Sequence, residues 1–112
     1  MLAVGEHALG RVDVQTLKMT TSFAGGVGVT HQETCGALSA GIMIIGALYG
    51  RTQPNKDDTL CQTLAANYRN RFVQELGSSN CGELRAERYG SQGQEPCSLL
   101  VERAARILLT IL

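Results

Sequence analysis

Four cysteines are the side chains of this chain best suited to redox or metal chemistry: Cys35, Cys61, Cys81 and Cys97. A thiolate attacks disulfides and binds soft metal ions, whereas a protonated, buried thiol fills space as a small apolar residue. No two of the four form a CxxC pair, so neither a zinc ribbon nor a thioredoxin-like motif can form within one local segment. Any site that combines these thiols must therefore be assembled by the fold.

Three of the cysteines lie at predicted helix starts. The run Asn80-Cys81-Gly82-Glu83 is a capping-box pattern, which makes Cys81 the first residue of a short helix. Pro96 is favoured at the first helical position, so Cys97 becomes the second residue of its helix. Cys35 falls in the first or second turn of a third helix, because either of two preceding threonines could be its cap.

These positions predict the chemistry of the three thiols. Unpaired amides and the helix dipole favour an anion at a helix start, which lowers a thiol's pKa from about 8.5 toward neutrality. We therefore identify Cys35, Cys81 and Cys97 as candidate redox residues and as candidate ligands of a cofactor or a metal ion. Cys35 is expected to be the most reactive, because it follows a glycine-rich turn and because His31 stands four residues before it. The alternative for His31 is a solvated residue, and Cys61, within an apolar helical stripe, is predicted to be an inert packing residue.

Helical periodicity predicts an all-α fold, a small compact bundle of about four to five helices with a Gly-rich turn before the central Cys helix. The run Thr30-His31-Gln32-Glu33 fits a capping box, so the central helix is predicted from Thr30 to about Tyr49. A second helix runs from Asp58 to a C-cap at Gly77, and a short polar linker makes the two a helical hairpin. A weaker helix is predicted over Asp13 to Ala24, and Gly90 to Gln94 is predicted to be a flexible connection.

Composition limits the class of protein. Ten basic residues balance ten acidic ones, so the net charge indicates neither a nucleic acid nor an anionic membrane as the partner. The uncharged stretch Thr34 to Gly50 has about the minimum length of a membrane span, but its glycine and alanine content favours a buried helix without membrane insertion. The length predicts a single helical redox-type domain over residues 1–112.

Two further expectations concern compartment and assembly. Four cysteines without a basic and apolar leader indicate a reducing compartment, so we expect a cytoplasmic protein. The apolar tail from Ile107 to Leu112 exceeds what one helix face of a small domain needs. It therefore predicts a homodimer.

Three segments, in chain order, carry a family resemblance: SFAGGVGVTHQETCGALSAGIMIIGALYG, RFVQELGSSNCGEL and EPCSLLVERAARIL. Together they resemble the C_GCAxxG_C_C family of redox proteins over roughly residues 20 to 112. The resemblance implies a small, mostly helical, cytoplasmic protein of bacteria or archaea, with four characteristic cysteines and a redox role. The positions that match the family's motif are Cys35, Gly36, Ala37, Cys81 and Cys97.

The chain departs from the family pattern at its N-terminal end and at Ala40, which stands where the motif has glycine. The family's first cysteine normally lies in an N-terminal helix before the glycine turn, and MLAVGEHALG looks like the second half of that helix without its cysteine. We therefore expect the N-terminal helix to be incomplete, through a shortened family member, a late start codon or a variant that works with three thiols. Cys61 matches no family cysteine.

The resemblance also implies a cofactor candidate. The family's cysteine segment is similar to part of the split-Soret cytochromes, which implies an iron-sulfur cluster or another thiolate-bound metal. The absence of CxxCH from the sequence gives no support to haem attachment. The leading hypothesis is a redox protein that uses Cys35, Cys81 and Cys97 with a redox partner protein, through thiol-disulfide exchange or through a cluster in electron transfer. The alternative is a non-catalytic helical module that binds a structural metal or a partner protein.

Overall fold

The computed structural model describes residues 1–90 and 95–112. The connection predicted from Gly90 to Gln94 lies outside the described residues, except for Gly90 itself. In the described part, six α-helices, one 3₁₀-helix and two isolated β-bridges form, and no strand does. The helices are α1 (Leu2–Leu9), α2 (Val14–Thr20), the 3₁₀-helix (Thr21–Phe23), α3 (Gly36–Tyr49), α4 (Thr59–Leu76), α5 (Cys81–Glu87) and α6 (Cys97–Ile111).

The predicted all-α class is confirmed, but the predicted count of four to five helices is wrong. The difference is α1, which only the family resemblance had indicated and which the structure forms as a separate helix of eight residues. The weaker helix predicted over Asp13 to Ala24 divides into α2 and the 3₁₀-helix, with the Asp13 carboxylate accepting a hydrogen bond from the Thr16 amide at 2.7 Å. None of the helices in the described ranges is long and apolar enough to cross a membrane.

The central helix is α3, which packs against α1, α4 and α6. The predicted hairpin of α3 and α4 forms, and α4 ends at Gly77 in a left-handed conformation, as expected for a C-cap. Gly41 allows the close contact in this hairpin, because a Cβ atom there would lie 2.7 Å from Cζ of Tyr68. The fully buried core residues are Leu38, Ile44 and Ile45 of α3, Tyr68 and Phe72 of α4, Tyr89, and Leu108 of α6.

The central helix begins six residues later than the capping-box pattern predicted. The Thr30 hydroxyl donates to the carbonyls of Gly26 and Val27, at 2.9 and 2.8 Å, instead of accepting from a helix amide. The helix starts at Gly36, and Cys35 is its N-cap residue. The reason is the backbone from Gly25 onward, which runs through a series of left-handed residues that cannot belong to a right-handed helix.

The starts of α5 and α6 lie close to the predicted positions. The Asn80 side chain accepts from the Glu83 amide at 3.0 Å, so Asn80 caps α5 and Cys81 is its first residue, as predicted. Glu83 does not complete the capping box, because its carboxylate accepts from the Ser78 hydroxyl instead. At α6, Pro96 is the N-cap with ψ of 154°, so Cys97 is the first helical residue and not the second.

Candidate functional site

An isolated antiparallel bridge joins the segments that precede α3 and α5. The Cys35 amide donates to the Ser79 carbonyl at 2.8 Å, and the Cys81 amide donates to the Glu33 carbonyl at 2.9 Å. The backbone amide of each cysteine therefore bonds to the segment that precedes the other cysteine's helix. Because alternate residues of paired chains point to the same face, this pairing directs both cysteine side chains to one side of the bridge.

The glycine-rich turn packs on the starts of both helices. Gly26 has φ of 71°, and a Cβ atom there would lie 2.6 Å from Cβ of Cys81. Gly36 likewise allows the backbone at Phe23 to approach the start of α3, because a Cβ atom at Gly36 would lie 3.1 Å from the Phe23 carbonyl oxygen. Val27 and Val29 also have positive φ, at 69° and 57°, which is unfavourable for β-branched residues. The turn is therefore held in a strained backbone conformation against the cysteines.

The three predicted cysteines line one cavity of about 570 Å³ at the starts of α3, α5 and α6. Cys35 is 9% exposed and Cys81 is 8% exposed, whereas Cys97 lies at the surface. All three are free thiols. Cys61 is not among the residues that line this cavity, and it packs half-buried against the core from α4. The fold thus brings together the three thiols that sequence analysis selected and separates the fourth from them.

Burial dominates the ionisation of the two inner thiols. Desolvation raises the pKa of Cys35, and the amides of Ala37 and Leu38 lower it by less. Negative charge on Cys81 or Cys97 raises the pKa of Cys35 further. Desolvation also raises the pKa of Cys81, with negative charge on Cys97 adding to the effect. The prediction that a helix start lowers the pKa is therefore wrong for these two thiols, because the loss of water outweighs the helix amides.

The expected reactivity of Cys35 must be revised for the same reason. Its thiol is buried, its pKa is raised, and the neighbouring His31 does not share a helix with it. His31 has φ of 60° in the loop before α3, is half-buried and lines the cavity. Of the three cavity thiols, the one that a second molecule can reach from solvent is Cys97.

Sequence analysis missed Arg85, which also lines the cavity. Arg85 lies four residues after Cys81 on α5, so both side chains are on the same face of that helix. Its positive charge partly offsets the rise in the pKa of Cys81. That i, i+4 spacing was visible in the sequence and could have identified Arg85 as part of the site.

A charged cluster anchors the segment that leads to Cys97. The Glu95 carboxylate accepts two hydrogen bonds from the Arg103 guanidinium, at 2.7 and 3.0 Å, and one from Arg88 at 3.1 Å. Arg103 also donates to the hydroxyl of the buried Tyr89 at 2.9 Å. The hydrogen bonds from Arg103 lower the pKa of Glu95, with Arg88 contributing. Two residues before Cys97, the chain is therefore tied to both α6 and the end of α5.

The donor set can be compared with the needs of a metal. Iron-sulfur clusters are held by four ligands as a rule, and structural zinc is four-coordinate. The cavity offers three thiols, with the half-buried His31 on the same wall. Within residues 1–90 and 95–112, no group of three or more His, Cys, Asp or Glu side chains is close enough together to hold a metal ion. In the described conformation the three thiols therefore surround the cavity without converging on one point.

A comparison with protein families matches this chain to a family model. The family model described as "Putative redox-active protein (C_GCAxxG_C_C)" matches residues 1–111. This match includes the first nineteen residues, which the resemblance of the three cysteine segments leaves out. Comparisons with curated proteins and with solved structures find no match.

Proposed function

The chain belongs to the C_GCAxxG_C_C family, and we propose that it is a redox protein that works by thiol-disulfide exchange with a partner. The observation that carries this proposal is the arrangement of one exposed and two buried free thiols around one cavity. In this proposal Cys97 attacks the partner's disulfide, because it is the thiol that solvent reaches. A buried thiol, Cys35 or Cys81, then completes the reaction.

The two steps balance in atoms and electrons. The Cys97 thiolate attacks one sulfur of the partner's disulfide, the sulfur-sulfur bond breaks, and one partner thiol leaves with a proton from solvent. A buried thiol, after losing its proton, attacks the Cys97 sulfur and releases the second partner thiol. Two protein thiols are thereby oxidised to one disulfide, and the partner's disulfide is reduced to two thiols.

We assign Cys97 as the common partner of the two buried thiols because it is the exposed one of the three that line the cavity. Cys35 and Cys81 are held at their helix starts by the amide hydrogen bonds that each donates across the bridge.

The charges of the cavity thiols affect the order of ionisation. A thiolate at Cys97 raises the pKa of both buried thiols, so simultaneous ionisation of all three is disfavoured. In the proposed reaction the buried thiol therefore loses its proton after Cys97 has entered the mixed disulfide and lost its charge.

A thiolate-bound metal or iron-sulfur cluster in electron transfer is the second candidate function. The observations that favour it are that all three thiols line one cavity and that the amides of Ala37 and Leu38 partly offset the raised pKa of Cys35. Such amide donors also suit the sulfurs of a cluster. This function requires the three thiols to converge and a further ligand, from His31 or from another molecule, to complete the set.

The test is oxidation of the reduced protein by hydroxyethyl disulfide under anaerobic conditions, followed by acid quench, alkylation and mass spectrometry. We expect an intact mass lower by two hydrogen atoms and a disulfide from Cys97 to Cys35 or Cys81. Cys97→Ala should form no internal disulfide, and Cys61→Ala, the matched control outside the cavity, should react as the parent does. A disulfide that forms equally well in Cys97→Ala would contradict the assignment.

The same preparation decides between the two candidates. Bound iron or zinc at one equivalent, with an absorption band that is lost on Cys97→Ala, would replace thiol-disulfide exchange by the second candidate. A metal-free protein whose three cavity thiols react no faster than free cysteine, and form no disulfide, would leave only the non-catalytic interaction module.

Compartment and assembly form part of the proposal. Thiol-disulfide exchange from the reduced state suits a reducing compartment, which we propose to be the cytoplasm of a bacterium, with a redox protein as the electron partner. We also propose a homodimer, supported by Leu109 of α6, which is 46% exposed in the apolar C-terminal segment. A monomer by light scattering at micromolar concentration would contradict the dimer.

A further inference from the structure

The cavity has the size and lining of a small-molecule site. Its volume of about 570 Å³ lies within the range of about 300–1,000 Å³ that ligand pockets occupy. The walls are built largely from apolar groups such as Ala37, Leu84, Leu100 and Val101. A cavity with such walls can hold a compact organic molecule. Its volume is larger than contact among three thiols alone would require.

One guanidinium lines the cavity, and no carboxylate of the described residues lies beside it there. Of the described side chains that line it, Arg85 is the only Arg, Lys, Asp or Glu. Arg85 is half-buried, and its guanidinium makes no ion pair or hydrogen bond with another described residue. A partly desolvated guanidinium without a carboxylate partner is stabilised by an anion that enters the cavity, and its planar fork matches a carboxylate.

We propose that the cavity binds a low-molecular-weight disulfide that carries a carboxylate, with the carboxylate at Arg85 and a sulfur atom at Cys97. This inference rests on the proposed thiol-disulfide exchange and names its substrate class. The spacing along α5 supports it, since Arg85 lies one helical turn from Cys81. A group held at Arg85 is therefore held beside the thiols and not at a remote surface.

Burial of the inner thiols suits a small disulfide that can enter the cavity. Cys35 and Cys81 are less than a tenth exposed, so the resolving thiol has to meet the mixed disulfide inside the cavity. A short disulfide can bring its sulfur atoms to that position while its carboxylate reaches Arg85. A disulfide within a folded protein can also react at Cys97 on the surface, but only a small disulfide can place its carboxylate at Arg85 inside the cavity.

The reaction consumes one substrate molecule and yields two small thiols. Cys97 attacks the substrate disulfide and releases the first thiol, and a buried thiol then forms the internal disulfide and releases the second. The two electrons come from the two protein thiols, and an external dithiol reductant returns the protein to its reduced state.

The test compares three disulfides of matched length and different charge: dithiodipropionate, which is anionic, hydroxyethyl disulfide, which is neutral, and cystamine, which is cationic. The rate of reaction at Cys97 is measured for each by stopped alkylation and mass spectrometry. We expect the rate ratio of dithiodipropionate to cystamine to fall about tenfold in Arg85→Gln, since tenfold corresponds to about 1.4 kcal/mol and charged hydrogen bonds contribute about 1.5–3 kcal/mol. Arg85→Lys should recover part of the ratio.

Arg69→Gln is the matched control, because Arg69 is exposed on α4, outside the cavity, and its loss changes the net charge equally. Its rate ratio should equal that of the parent. If Arg85→Gln does not fold, the parent protein alone still tests the inference. Added salt should lower its rate ratio of dithiodipropionate to cystamine, because salt screens the ion pair between the substrate and Arg85.

The outcomes separate this inference from the function on which it rests. Equal ratios in the parent, Arg85→Gln and Arg69→Gln would overturn the anionic substrate while Cys97 still reacts. A preference for cystamine in the parent would overturn it as well. An absence of internal disulfide with all three probes would instead refute thiol-disulfide exchange itself.

Discussion

Alanine at position 26 should destabilise the protein through Cys81. Gly26 has φ of 71°, where an L-residue is strained by about 1–2 kcal/mol. The new Cβ would also lie 2.6 Å from Cβ of Cys81, with a backbone oxygen at 3.0 Å on another side. Overpacking of this kind costs about 1–3 kcal/mol. The sum, about 2–5 kcal/mol, is a large part of the roughly 5–15 kcal/mol that stabilises a typical protein.

Gly28→Ala is the matched control for this prediction. Gly28 has φ of 63° in the same turn, but no atom lies within 4 Å of the position its Cβ would take. Gly28→Ala should therefore lose only the strain contribution of about 1–2 kcal/mol. The difference between the two variants isolates the overlap with Cys81.

The assay is urea unfolding of the parent and both variants, followed by native-state alkylation of Cys81. Gly26→Ala should unfold at a lower urea concentration than Gly28→Ala, and its Cys81 should be alkylated faster, because the turn no longer fits over the thiol. Equal losses of stability in the two variants, with equal alkylation of Cys81, would refute the close packing of the turn on this cysteine.

Two further predictions follow from the same contacts and pKa shifts. Gly41→Ala should lose about 1–3 kcal/mol by urea unfolding, because its Cβ would overlap the Tyr68 ring, whereas Gly46→Ala on the same helix should be neutral or stabilising. The free energy of unfolding should fall as the pH rises through the ordinary thiol value of 9.0, because the unfolded chain ionises there while Cys35 and Cys81 keep their protons to higher pH. Stability that stays level across this pH range would contradict the raised pKa values.

Local signals in the sequence predicted the helix starts where the cap is built by neighbouring residues. Asn80 caps α5 through the amide three residues later, so four residues contain the whole interaction. Gly77 ends α4 through its own left-handed backbone. Thr30 failed as a cap, although its sequence pattern was equally good, because the backbone around it is left-handed and cannot enter a right-handed helix. That backbone belongs to a turn packed against Cys81 of α5, which no local pattern records.

The candidate site, too, was predictable from the sequence only in part. The spacing of Cys35, Cys81 and Cys97 relative to cap and proline signals selected three residues that the fold gathers at one cavity. The direction of their pKa shifts could not be predicted, because it depends on burial that α3, α5 and α6 create together. Arg85 could have been predicted, since its spacing of four residues from Cys81 places both on one face of α5.

Strain and ionisation act on the same few residues around the bridge. The turn holds Val27 and Val29 in left-handed conformations that cost free energy, and its Gly26 contact covers Cys81. Desolvation is the largest cause of the raised pKa of Cys81, and it raises the pKa of Cys35 as well. Cys97, on another helix, stays exposed. The difference between the three thiols therefore follows from how the turn and the helix starts pack, and not from the cap and proline signals beside each cysteine.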